Sequence, residues 1–329
     1  MKSIACIGQG FVGGSLTTVL TERGFDVLAY DKAGKVSSGG RAPYVQINDN
    51  GDLCKVHSVT DLVVVCEGIR VGEHSNKADI PKNFSGIYFV CLPTPMFEDG
   101  EADLTIVEGV LKELASVPGV RIAVVKSTVP PGSTERWNKQ FEGTGLHVVF
   151  CPEFLTEANA LDDMRNQSRI VLGGPRPWIN AVKLIFQQAF PKVPIIKTSS
   201  TTAEMVKYFT NIQLAARVVL SCELSQVCEA LDQKGMNIDY DKVVEYAKWD
   251  ARLGSSHMNV PGPDGIPGAR GHCFPKDLNA LIYEAKKLNV SPTVMSAIWD
   301  KNLEVVSPEH RDWERMQGRA VSKKGDKND

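Results

Sequence analysis

The 329-residue chain lacks any apolar run near the ~20 residues that a membrane-spanning helix needs. It also lacks a block of lysine and arginine. Its 37 Lys and Arg nearly balance 39 Asp and Glu, for a net charge of -2, so nothing in its charge favours nucleic acid or an anionic membrane surface. Eight cysteines are present but none pair as C-x-x-C, which removes the commonest metal and dithiol motifs, and no metal site is expected. Cys6, Cys66, Cys91 and Cys151 sit inside apolar runs and read as buried free thiols, not as a disulfide framework. The N-terminus runs from Met1-Lys2-Ser3 directly into a short apolar segment ending in glycines, with no small-residue cleavage site. It does not read as a secretory signal, and a cytoplasmic location is expected.

The hydrophobic and charged fractions, 43% and 23%, are those of an ordinary globular protein with room for two cores. Residues 3–7, 27–30, 87–91, 122–126 and 147–150 are brief apolar runs. Amphipathic stretches of helical length lie between several of them, at 11–23, 104–116 and 133–142. The runs 170–172 and 193–196 flank another at 178–190. Alternating strands and helices predict right-handed β-α-β units and a parallel sheet. From Thr201 to Lys234 the pattern is helical without proline or glycine, and 241–249, 276–288 and 292–306 continue it.

The expected fold class is therefore α/β: an N-terminal Rossmann-type parallel-sheet domain over 1–198, then an all-helical domain over 199–306 built on a long helix. Residues 307–329 are polar and rich in both charges, and are expected to be disordered. Between 34 and 86 the pattern is least legible; 34–41 reads as a loop and Asp49-Asn50-Gly51-Asp52 as a turn, a candidate hairpin tip.

Gly8-Gln9-Gly10-Phe11-Val12-Gly13 follows a predicted strand and opens a predicted helix, and Asp31 ends the next strand. This is the full context of a dinucleotide site: a tight turn at Gly8, close approach to the pyrophosphate at Gly10, and helix–strand packing at Gly13. The helix N-terminus favours the phosphate charge. Asp31 suits the adenosine ribose hydroxyls and would repel a 2′-phosphate, which indicates NAD, although Lys32 and Lys35 lie near enough to soften that preference.

In Gly271-His272-Cys273-Phe274-Pro275-Lys276-Asp277, Pro275 suits the first turn of a helix and places Cys273 at its N-terminus. The dipole there, together with Lys276, would favour the nucleophilic thiolate. Asp277 falls on the same helix face, four residues on. A loop cysteine before a buried helix is the plainer alternative.

Ordered motifs across about 300 residues bear on that choice. They are Gly8–Gly13 with Asp31, Val90-Cys91-Leu92-Pro93-Thr94-Pro95, Asp99–Leu104, Lys126-Ser127-Thr128-Val129-Pro130, Pro152–Glu157, Ala203–Lys207 ending at Asn211, Asp250–Gly254 and Cys273–Asp277. In content and order the chain resembles the UDP-glucose/GDP-mannose dehydrogenase family, most nearly its UDP-glucose branch.

The resemblance implies oxidation of the sugar C6 alcohol of UDP-glucose to the carboxylate of UDP-glucuronate in two NAD-dependent steps. Cys273 would capture the intermediate aldehyde as a thiohemiacetal and then carry a thioester. It implies oxyanion donors in Lys207 and Asn211, a general base for hydrolysis in Glu153, and ordering of water and reacting oxygen by Thr128 and Asp277. Cofactor contacts would come from Gly8, Gly10, Phe11, Val12, Gly13, Asp31, Thr94, Thr128 and Glu157. The sugar nucleotide would meet Glu153, Phe154, Leu155, Lys207 and Asn211, with Arg252 reaching its diphosphate from a second copy in a homodimer.

The chain also departs from the family pattern. It ends soon after residue 306, where full-length members carry a further C-terminal nucleotide-binding domain, so a short form is expected. The loop Asn259–Arg270 is longer than the family's glycine-rich run, and its extension is expected to supply missing substrate contacts. His272 before Cys273 resembles the branch oxidising N-acetylated sugars. The alternatives are therefore a dehydrogenase of GDP-mannose or of an N-acetylated UDP-sugar, or an impaired protein that only binds NAD or a sugar nucleotide.

Overall fold

The computed structural model describes residues 3–34, 40, 44–46, 53–55 and 84–323. Two compact units divide it, the first comprising 1–94 and 104–207, the second 95–103 and 208–329.

The first unit is built on a seven-stranded sheet. In chain order it holds β1 (Ser3–Ile7), α1 (Phe11–Glu22), β2 (Asp26–Tyr30), a small antiparallel pair β3 (Tyr44–Gln46) and β4 (Leu53–Lys55), and β5 (Phe84–Val90). Then follow α2 (Thr105–Ser116), β6 (Val120–Val125), α3 (Ser133–Gln140), β7 (Leu146–Phe150), α4 (Ala160–Arg165), β8 (Ile170–Gly173), α5 (Trp178–Ala189) and β9 (Ile195–Thr198). The strand order is β2-β1-β5-β6-β7-β8-β9, so the chain reverses its direction of travel between β1 and β5.

The central strands β1, β5, β6 and β7 are covered on both faces, which explains why they read as continuous apolar runs. Along β1, Ile4 and Cys6 enter the layer with Leu16, Val19 and Phe186, whereas Ala5 and Ile7 enter the opposite layer with Val107, Leu111 and Trp137. The sheet is mostly parallel, as expected, with one exception: β8 pairs antiparallel with β7 through Phe150 and Gly173. A six-residue helix, α4, replaces the long crossover that a parallel return requires. The sequence pattern had offered no helix there. As to the predicted turn at 49–52, β3 and β4 pair on either side of it, but the turn and most of the 34–41 loop lie outside the described residues.

The long helix α6 (Ser200–Asp232) begins in the first unit and continues through the second. The second unit adds α7 (Tyr240–Ala247), α8 (Phe274–Lys287) and α9 (Thr293–Val305). Ala215 and Val219 of α6 pack with Ala269, Phe274 and Ile298. The predicted break near 198 thus falls just before α6, whereas compactness divides that helix at Lys207.

The polar tail corrects an expectation. Residues 307–323 are folded: Trp313 is 2% exposed and Ala320 fully buried, and they pack with Met96 and Val306. Met96 also exchanges backbone hydrogen bonds with Ala320 and Ser322, forming a short strand-like strap. Trp313, Met316, Ala320 and Val321 suffice among the tail's many charges, because they converge on one small cluster.

Candidate active site

The first unit carries the cofactor cradle. Gly8 has φ +88°, and a Cβ there would stand 2.4 Å from the Cys91 carbonyl oxygen. A Cβ on Gly13 would stand 1.9 Å from the carbonyl oxygen of Gly8, so both positions exclude every larger residue. Gly10 differs, since its added Cβ would meet nothing in the chain within 4 Å. That open space faces the first turn of α1, whose N-cap Gly10 supplies no side-chain hydrogen bond and whose first turn holds no acid. A helix N-terminus with no side-chain cap, beside a missing side chain, fits a pyrophosphate.

Asp31 accepts from the Gln9 amide through Oδ2 and from the Ala33 amide through Oδ1, each at 2.8 Å. A carboxylate held by one donor per oxygen keeps lone pairs for ribose hydroxyls. Lys32 is exposed, and Lys35 lies outside the described residues. The residues fit NAD at the crevice where the strand order reverses.

The segment after β6 is bonded to the segment after β5. Ser127 Oγ donates to the Leu92 carbonyl oxygen at 2.6 Å and accepts from the Leu92 amide at 3.0 Å. Thr94 Oγ1 donates to the Thr128 carbonyl oxygen at 2.7 Å. The predicted pair Thr94 and Thr128 is therefore brought together, and Ser127, given no role by the sequence reasoning, ties their segments.

Lys207 and Glu153 form a buried ion pair, with Nζ 2.8 Å from Oε1 and 2.7 Å from the Glu153 carbonyl oxygen. The Leu155 amide donates to Oε2 at 2.7 Å. Burial opposes ionisation of Glu153, but the Lys207 charge, its hydrogen bond and that amide outweigh it and hold the carboxyl below its usual value. The Lys207 ammonium also lies 5.7 Å from the centre of the Phe154 ring, whose other close cation is Arg169 at 4.0 Å. Leu155 is half-buried beside them.

Glu157 is exposed while Glu153 is buried, and the backbone over 151–156 is not helical, so the two carboxylates share no helix face.

Glu204, one turn before Lys207, is the larger omission. Fully buried, it accepts from the Gly132 amide at 2.6 Å, the Thr134 amide at 2.8 Å and Thr134 Oγ1 at 2.6 Å. It thereby caps α3 from another helix. A carboxylate inside an otherwise apolar helical turn was the available signal. Burial raises its pKa despite these donors.

In the second unit Cys273 is the half-buried N-cap of α8, with Pro275 in the first turn. Its carbonyl oxygen accepts from the Asp277 amide at 2.9 Å, which sets Asp277 one turn along on the same side. Asp277 is 1% exposed; Oδ2 accepts from Asn211 Nδ2 and Oδ1 from Lys276 Nζ, each at 2.5 Å. Lys276 was expected to favour the Cys273 thiolate, but its ammonium is bonded to Asp277.

The extended loop before Cys273 is braced within its own unit. Arg270 donates to Asp264 Oδ2 at 2.6 Å and to the His310 carbonyl oxygen at 2.8 Å, and pairs with Asp312 at 3.3 Å. Asn302 holds both backbone groups of Ala269. Arg252 is 89% exposed and chelates Asp250. Among the described residues no group of three or more His, Cys, Asp or Glu is arranged to hold a metal, and no helix is long and apolar enough to cross a membrane.

A dinucleotide cradle on a mostly parallel sheet defines the class, an NAD-binding α/β protein. The particular family follows from its relatives. Residues 2–189 match the NAD binding domain, and residues 201–304 the central domain, of the UDP-glucose/GDP-mannose dehydrogenase family, and the chain belongs to that family. It is 30% identical over 317 residues to the UDP-glucose 6-dehydrogenase AglM of Haloferax volcanii, covering 91% of this chain and 69% of that protein. It is 31% identical over 310 residues to the UDP-glucose 6-dehydrogenase TuaD of Bacillus subtilis, covering 92% and 63% respectively. The chain thus spans about two thirds of the length of the relatives it matches. A UDP-glucose dehydrogenase from Pyrobaculum islandicum superposes with a TM-score of 0.69 at 25% identity, over 92% of this chain and 68% of that one. A 3-hydroxyisobutyrate dehydrogenase of Mycobacterium tuberculosis shares the fold alone, with a TM-score of 0.62 at 15% identity over 94% and 96% of the chains.

Proposed function

We propose that this protein is an NAD-dependent nucleotide-sugar dehydrogenase that oxidises the C6 alcohol of UDP-glucose twice, giving UDP-glucuronate. NAD, when bound, accepts one hydride in each oxidation. The observation that carries this reading is the grouping of Cys273, Asp277 and Asn211: a half-buried thiol at a helix N-terminus, one turn from a buried carboxylate held by an amide. Names of the relatives support UDP-glucose as the sugar.

In this reading the aldehyde formed first is attacked by the Cys273 thiolate, creating a carbon–sulfur bond and a thiohemiacetal. Loss of the second hydride leaves a thioester, and water then cleaves the carbon–sulfur bond to return the thiol and release the acid. Lys207 and Asn211, four residues apart on α6, donate to the alkoxide and oxyanion as charge develops. Glu153, ionised beside Lys207, takes the proton of the hydrolytic water, and Thr128 with Asp277 orients that water. Phe154 and Leu155 contact the sugar nucleotide. Glu157 contacts the cofactor from its exposed position, and Phe11, Val12 and Thr94 line the same cradle.

We further infer a homodimer through α6. Leu220, Leu224 and Val227 recur at helical spacing and are 57%, 51% and 52% exposed, a seam suited to a second copy of itself. Arg252 then reaches the substrate diphosphate of the partner.

A panel of UDP-glucose, GDP-mannose and an N-acetylated UDP-sugar tests the assignment by kcat/KM. UDP-glucose should lead by at least about tenfold, a discrimination within reach of polar contacts to one hydroxyl. A lead by GDP-mannose or the N-acetylated sugar overturns the substrate. Turnover of none, with intact NAD binding, overturns the activity.

A further inference from the structure

The first unit holds a pair of reactive groups that the proposed chemistry does not use. Cys6 of β1 and Cys91, just after β5, place their sulfurs 3.9 Å apart. Cys6 is in register with Phe89, two residues before Cys91, so both side chains leave the same face of the sheet. Neither thiol is a mere filler of space, because both abut the glycine turn. Cys6 Sγ lies 3.5 Å from the Gly13 carbonyl oxygen and 3.9 Å from that of Gly8. A Cβ on Gly13 would stand 3.0 Å from Cys91 Cβ, and one on Gly8 2.4 Å from the Cys91 carbonyl oxygen. No slack separates the thiols from the turn that receives the pyrophosphate.

We propose that Cys6 and Cys91 are a redox-modification site, joined by peroxide into a disulfide that weakens NAD binding. A sulfur–sulfur bond measures about 2.05 Å, so the two sulfurs must close nearly half their present separation. That movement acts on the ends of β1 and β5, where the strand order reverses and the cofactor binds. Gly13 and Gly8 approach Cys91 so closely that an added Cβ would collide with it, so the turn is placed to feel that movement.

The chemistry balances. The Cys91 thiolate, the more exposed of the two, attacks hydrogen peroxide, giving a sulfenic acid and hydroxide. The Cys6 sulfur then displaces the sulfenic oxygen, which leaves as water with the Cys6 proton. In sum, two thiols and one peroxide give one disulfide and two waters. Exposure supports this order: Cys6 is fully buried and donates to the Gly13 and Gly8 carbonyl oxygens, whereas Cys91 is half-buried and can meet peroxide.

The test uses the full chain with Cys273→Ser, which removes the other nucleophile. Protein treated with hydrogen peroxide is digested without reductant and mapped by mass spectrometry, and the NAD Kd is measured by calorimetry before and after. The expected result is one cross-linked peptide pair containing Cys6 and Cys91, two hydrogens lighter than the sum of its parts. The Kd should rise at least about tenfold and return after dithiothreitol. Adding Cys91→Ser, or Cys91→Ala if the serine variant is unstable, should abolish both effects. Three results would overturn the proposal: thiols that stay open to alkylation, a bridge from Cys91 to Cys151 instead, or a Cys6–Cys91 bridge that leaves the Kd within about twofold.

Discussion

Lys207 Nζ stands 2.8 Å from Glu153 Oε1 in a place where neither side chain is more than 7% exposed. Such a pair is stabilising only while both charges are present, since each alone is left unsolvated. Lys207→Met should therefore cost about 3–5 kcal/mol, measured by urea unfolding at neutral pH. Adding Glu153→Gln should recover part of that loss, because the orphaned charge disappears. Additive losses in the double variant would contradict the coupling.

The same pair sets a pH dependence. In the native protein the Glu153 carboxyl titrates below its unfolded value, so its contribution is present above the ordinary carboxylate range and is lost as pH falls through the folded pKa. In Lys207→Met only the Leu155 amide and the Lys126 charge still oppose burial, and the shift should reverse. Acidification toward the carboxylate range should then stabilise that variant relative to neutral pH. Urea midpoints across the acid range decide between the two signs.

Gly10 and Gly13 separate cofactor binding from folding. Gly10→Ala meets no atom of the chain, so it should leave the apo melting temperature unchanged while raising the NAD Kd by about tenfold or more. Gly13→Ala collides with the backbone at Gly8 and should lower the apo melting temperature as well. Equal behaviour of the two variants would mean that Gly10 does not face the cofactor.

Glu204→Ala removes all three bonds at the start of α3 and should cost about 1–2 kcal/mol, the scale of a lost helix cap. Hydrogen exchange should accelerate at the Gly132 and Thr134 amides and much less elsewhere in the sheet. Unchanged protection there would remove Glu204 from its capping role.

Much of this was legible in the sequence because each signal had a local cause. Strands buried on both faces must be apolar throughout, and the glycine turn needs three glycines wherever it occurs. What escaped depends on chain segments far apart in sequence. Nothing local marks β8 as antiparallel, since its three apolar residues and a glycine would suit either direction. Lys276 stood near Cys273 in sequence, yet its ammonium bonds Asp277, a preference that burial decides. Trp313 and Ala320 fold a charged tail that composition alone assigns to disorder.

Leu224→Lys places a charge in the exposed seam of α6. If that seam joins two copies, the variant should sediment as a monomer at concentrations where the parent chain is dimeric. A parent chain that is itself monomeric would remove the dimer and, with it, the role of Arg252 across the interface.

The most direct test counts NADH against sugar. With UDP-glucose limiting, the account predicts two NADH per UDP-glucose consumed and UDP-glucuronate as the product, with Cys273→Ser failing to complete the second oxidation while its NAD Kd stays unchanged. One NADH per sugar with free aldehyde accumulating in the parent protein, or two per sugar in Cys273→Ser, would contradict it.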